Sequence, residues 1–165
     1  MHTPESKALL AALERAGARV VLVASGGGSL AIPALVTTPG ASAVVIEALV
    51  PYAREAVDLL LGGPQEAYCA PRTARRLAMV AWQRSCGFTA PPDRAVGAAV
   101  TAALRSREPK RGEHRVIAAV QTLAATLTVE VTLEKAARSR AEEEEIAAAL
   151  VLDALAAECG GVGGG

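Results

Sequence analysis

The chain is expected to fold as a three-layer α/β/α sandwich around a mixed sheet, an α/β class, on three observations. Aliphatic strand-like runs alternate with helical stretches early in the chain. Two further strand-like runs, 116–122 and 126–133, are separated by a short turn and read as an antiparallel hairpin. Hydrophobic residues make up 52% of the chain while aromatics make up only 2%, so the core must be aliphatic and closely spaced. The 165 residues fit one domain, 1–159, followed by a Gly-rich flexible tail, 160–165.

Each element has a local reason. Pro4 to Ala16 reads as a helix, with Thr3 as N-cap, Pro4 in the first turn, Gly17 as its stop and Leu9, Leu10 and Leu13 as its apolar face. Val20 to Val23 forms a buried strand that Ala24-Ser25 closes, and Gly26-Gly27-Gly28 follows as a turn. A helix from Leu30 to Val36 should be short or kinked at Pro33. Thr37-Thr38-Pro39-Gly40 is a turn. Ala43 to Val50 is a second strand carrying Glu47, and Tyr52 to Leu61 is a helix ended by Gly62-Gly63-Pro64. Pro71 to Arg84 is helical, with a stripe at Leu77, Val80 and Ala81 and a solvated face at Arg72, Arg75 and Arg76. Ala90-Pro91-Pro92 is a linker turn, Arg94 to Ala103 a strand of small residues, and 105–112 a charged loop. Arg138 to Glu158 is the last helix, and the run Glu142 to Glu145 suits the positive end of its dipole.

Composition excludes several classes. Lys plus Arg and Asp plus Glu are equal at 17 each, which argues against a nucleic-acid partner. No apolar run is long enough to span a bilayer and the start lacks a signal-peptide core, so no membrane partner and a cytoplasmic location are expected. Cys69, Cys86 and Cys159 show no metal spacing and an odd count, and read as reduced structural thiols. His114 has no metal-spaced partner, so no metal site is expected, and no cofactor. Helices apolar on more than one side predict self-association into a homo-oligomer.

The candidate site is the turn from Ser25 to Ser29. A strand, a glycine turn and a helix in this order aim backbone N–H groups at an anion. Three readings are open. The run Gly26 to Ala31 matches the loose dinucleotide pattern, with Glu47 at the ribose-acid spacing. The glycines can equally be structural. A mononucleotide or phosphate site is the third reading. Ser25 is either a nucleophile or a helix cap. Tyr52 is either a site hydroxyl or a helix-start residue with its ring in the core. Thr101, at a strand end, either meets a ligand or caps a backbone group. Lys110, Arg111 and Arg115 either meet a phosphate over the Ser25 turn or belong to a solvated loop.

The stretch VLVASGGGSLAIPALVTTPGASAVVIEALVPYAREAVDLLLG resembles the core of the CinA carboxyl-terminal domain family, which includes nicotinamide-nucleotide amidohydrolases. That family reads AESCTGG, then PGSS, then a strand ending in YSNEAK, and the spacing is kept here without a gap. Ser25 falls on the motif serine, Gly28 on the first glycine of the closing pair, Gly40-Ala41-Ser42 on PGSS, and Tyr52, Glu55 and Ala56 on YSNEAK. Ala99-Val100-Thr101 resembles the AVTG strand end, and Arg138-Ser139-Arg140 the GDR segment. The motif glutamate is replaced by Ala24, the Cys-Thr pair by Gly26-Gly27, and the lysine by Val57. KRGEHR stands where relatives have KPVG.

The resemblance implies a small-molecule nucleotide ligand and hydrolysis of its amide. Ser25 would attack the carboxamide carbon. Gly26, Gly27, Gly28 and Ser29 would hold the oxyanion or phosphate. Tyr52 and Thr101 would orient the substrate, and Lys110, Arg111, Arg115 or Arg140 would bind its phosphate. A serine nucleophile needs a base. None of the three lysines, Lys7, Lys110 and Lys135, falls on the family's lysine position. A catalytically lapsed nucleotide-binding or structural module is the alternative.

Overall fold

The computed structural model describes residues 4–109 and 111–160. The expected cap Thr3, Lys110 and tail residues 161–165 lie outside them. Five strands form one sheet in the order β2-β1-β3-β4-β5. These are β1 (Arg19–Ser25), β2 (Val45–Leu49), β3 (Ala95–Ala103), β4 (His114–Gln121) and β5 (Thr126–Leu133). β1 runs parallel to both β2 and β3. β4 is antiparallel to β3, and β5 to β4, so the sheet is mixed and the late hairpin is present. The helices are α1 (Pro4–Arg15), α2 (Ala31–Val36), α3 (Arg54–Leu61), α4 (Pro71–Cys86) and α5 (Arg140–Leu155). α5 runs on into a π-helical turn, Ala156–Gly160.

Alternation along the strands makes the layers, because successive side chains leave a strand on opposite faces. Val20, Leu22, Ala24, Val96, Ala98, Val100, Val116, Ala118 and Val120 pack with Leu10, Leu13, Leu35, Ala147 and Val151, the side of α1, α2 and α5. Val21, Val23, Ala99, Ile117 and Ala119 pack with Val57, Ala74, Leu77, Ala78 and Ala81, the side of α3 and α4. Each fully buried leucine contributes roughly 1.5–3 kcal/mol through removal of its apolar surface from water. The small residues of β3 let α4 come close. A methyl at Gly97 would lie 2.2 Å from both the Ala78 carbonyl oxygen and the Trp82 nitrogen.

Element boundaries differ from expectation in physically readable ways. The second strand starts at Val45 because Gly40, at φ 96°, leads into a 3-10 turn over Ala41–Ala43. Pro33 sits in the first turn of α2, where its missing N–H has no intrahelical acceptor to lose. α3 begins at Arg54, and Tyr52 is 70% exposed, so its ring is not in the core. β4 begins at His114 rather than Val116, because His114 pairs in register with Leu133.

Candidate functional site at the carboxyl edge of the sheet

Ser25 ends β1 in direct register with Thr101 on β3. Both follow the parity of Val21, Val23 and Ala99, so both side chains face the α3 and α4 side. Both are buried. The Thr101 hydroxyl donates to the Tyr68 carbonyl oxygen at 2.8 Å. That is its backbone-capping reading, and it ties the 68–70 segment to the edge. The Ser25 hydroxyl has no hydrogen-bond partner among the described residues, so it is not a helix cap. Next to Thr101, the Cys69 sulfur lies 3.6 Å from the Arg115 carbonyl oxygen and 4.0 Å from that of Thr101. Tyr68 donates its hydroxyl to Asp58 at 2.7 Å, and the Arg54 guanidinium lies 5.0 Å from its ring centroid. The bond to Asp58, then burial, push the Tyr68 phenol above its ordinary pKa. Val57, at the position where the family motif has its lysine, is 2% exposed and packed in the core.

The glycine turn lies against the end of β3. A methyl on Gly26, at φ 78°, would stand 2.1 Å from the Ala102 carbonyl oxygen. A methyl on Gly27 would stand 2.6 Å from Leu104. Close approach is therefore what the glycines provide. The Gly28 N–H donates to Glu144 Oε2 at 2.7 Å, a buried bond across 116 residues of sequence. The anion that this donor meets comes from within the chain, from Glu144 near the start of α5. Arg140 reaches the same turn. Its guanidinium is 3.4 Å from the Gly26 carbonyl oxygen and 3.6 Å from Glu144. Ser29 is half-buried, and its carbonyl accepts from the Ile32 N–H.

Glu143 is fully buried on the same helix turn. It accepts from the Arg105 N–H at 2.6 Å and pairs with His114 Nδ1 at 2.9 Å. Burial pushes the Glu143 carboxyl up, but the bonds from His114 and the Arg105 N–H, with the charges of His114 and Arg138, outweigh it. The carboxyl is held below the usual glutamate value. Ser139 caps the helix in a full capping box with Glu142. The glutamate run is thus not only dipole electrostatics. Glu142 caps, Glu143 holds β4 and the 105 loop, and Glu144 holds the glycine turn.

The other expected site cations are dispersed. Arg115 pairs with Glu130 at 2.6 Å on the α3 and α4 side. Arg111 is exposed, and its carbonyl accepts from Lys135 at 3.1 Å. Glu47 is paired with Arg84, which removes it as a ribose acid. Arg72, Arg75 and Arg76 are exposed on α4. Tyr52 follows β2 at the same edge as Ser25, exposed to solvent. Sequence reasoning did not single out the buried contacts of Glu143, Glu144, His114 and Cys69. The one local signal for the first two was the Ser139-x-x-Glu142 pattern, which fixes the helix start. No group of His, Cys, Asp and Glu among the described residues is arranged to hold a metal ion. No helix among them is long and apolar enough to cross a membrane.

This layout is a CinA-like α/β fold. A competence/damage inducible protein, CihA, from Agrobacterium tumefaciens superposes with TM-score 0.76 at 22% identity, over 95% of this chain and 97% of that one. A competence or damage-inducible protein from Enterobacter asburiae gives TM-score 0.76 at 20% identity, over 93% and 95%. A CinA superfamily protein from Enterobacter cloacae gives TM-score 0.75 at 20% identity, over 94% and 90%. No family model matches the chain. No curated protein matches it in sequence.

Proposed function

We propose that the chain is a divergent CinA-type protein that takes a nicotinamide nucleotide at the carboxyl edge of its sheet and hydrolyses the amide through Ser25, releasing ammonia. The observation that carries this reading is the place of Ser25. It ends the central parallel strand beside Thr101, with its hydroxyl uncommitted, where ligands of open α/β sheets meet the protein. Tyr52, exposed at the same edge, is the hydroxyl available to orient the ring, and Arg140 the cation nearest the turn.

A second reading, binding without turnover, is favoured by two observations. Val57 fills the position of the family's lysine with an aliphatic side chain in the core, so that base is absent. The Gly28 N–H, a donor suited to an oxyanion, is already bonded to Glu144. Ammonia release from nicotinamide mononucleotide by the wild type and Ser25→Ala separates the two. Release by the wild type that Ser25→Ala abolishes supports hydrolysis. Calorimetric binding with no release supports the second reading. Neither binding nor release overturns both.

A further inference from the structure

On the opposite side of the edge from Ser25, a pocket of about 240 Å³ is lined by Arg105, Arg107, Glu108, His114 and Lys135 among others. His114 is the built part of it. The residue is 5% exposed, and its imidazole is backed by the fully buried Glu143. An ionised carboxylate only accepts, so it fixes a proton on Nδ1 and leaves Nε2 as the ring nitrogen available to the pocket. The Arg105 backbone is anchored to the same carboxylate, and its guanidinium donates to the Arg138 carbonyl oxygen at 2.9 Å. Lys135 also lines the pocket, and its ammonium donates to the Arg111 carbonyl oxygen at 3.1 Å. Three lining cations thus face the single lining carboxylate of Glu108, while the His114 and Glu143 pair closes the base.

We propose that this pocket is a phosphate-binding site, with Arg105, Arg107 and Lys135 as the charged contacts and His114 Nε2 at its base accepting from the hydroxyl of a protonated phosphate. Multiple donors around a cavity of this size suit a tetrahedral group with several acceptor oxygens. The site does not rest on the nicotinamide-nucleotide reading. His114 follows the parity of Val116 and faces α5, whereas Ser25 faces α3 and α4.

The test is calorimetric titration of the full chain with inorganic phosphate and, separately, adenosine 5′-monophosphate, alongside histidine NMR. Wild type and Ser25→Ala should bind at least one probe saturably and alike, with the His114 imidazole resonances moving. Equal affinity for both probes identifies free phosphate as sufficient, and tighter binding of the nucleotide identifies an esterified phosphate; either supports the site. Arg107→Gln with Lys135→Gln, both exposed and outside the core, should weaken binding by about tenfold or more. No saturable binding of either probe, unchanged affinity in that double variant, or binding that leaves His114 unmoved would overturn the proposal. No ammonia release by the wild type, with phosphate binding intact, would count against the amide reading alone.

Discussion

Glu144 accepts the Gly28 N–H at 2.7 Å, joining the early part of the last helix to the turn after the first strand. Replacing it with alanine leaves a buried donor unpaired, a loss of about 1–3 kcal/mol. Glu144→Gln keeps an acceptor oxygen and should lose less. Urea unfolding of the two variants checks this, and equal losses would show that the hydrogen bond is not the source.

Glu143 makes the acid side of the stability curve. Its carboxyl is held below the usual value in the folded chain, so the folded state binds fewer protons than the unfolded one. The stability it contributes is complete above the unfolded glutamate pKa of about 4.3 and is lost as pH falls through the lower folded value. Glu142, lowered by its bonds with Ser139, adds a limb of the same sign. Denaturation from about pH 3 to pH 7 should therefore give a shallower acid limb in Glu143→Gln than in the wild type, with the Glu142 part retained.

Gly26 and Gly62 form a matched pair for the glycine turn. Both have positive φ, 78° and 84°. A methyl at 26 meets the Ala102 carbonyl oxygen at 2.1 Å, whereas at 62 it meets nothing within 4 Å. Gly62→Ala should cost only the left-handed backbone penalty, about 1–2 kcal/mol. Gly26→Ala should cost clearly more or prevent folding. Melting curves of the two side by side read the difference, which is the price of displacing β3.

Val57→Lys would restore the family's residue type but put an amine where the chain buries an aliphatic side chain at 2% exposure. The expected outcome is a loss of several kcal/mol, since a buried unpaired cation is disfavoured. A fully stable Val57→Lys protein would mean that α3 turns this position toward Ser25 instead.

Much of the fold was legible because neighbouring residues decide it. The β-branched run Val20 to Val23, the Leu9, Leu10 and Leu13 face and the Thr126 to Leu133 strand read directly from spacing. Ser25 was legible as a strand-end hydroxyl. The contacts around it were not, because they join residues far apart in the chain: Gly28 with Glu144, His114 with Glu143, Thr101 with Tyr68. A glutamate in an acidic run looks the same whether it is solvated or buried, and only the approach of another strand decides. The dispersal of Arg115 and His114 to opposite faces follows from their odd and even places on β4, which needs the strand's start at His114 to be known.

The seating of α4 on Gly97 sets where the molecule opens and where it does not. With backbone resting on backbone there, no side chain can swing aside to let water in. Amides of β3 and of the middle of α4 should therefore be among the last to exchange with deuterium. The six-residue α2 and the exposed segment 105–109 should exchange earlier, which leaves the carboxyl edge with a rigid floor beneath faster-opening neighbours.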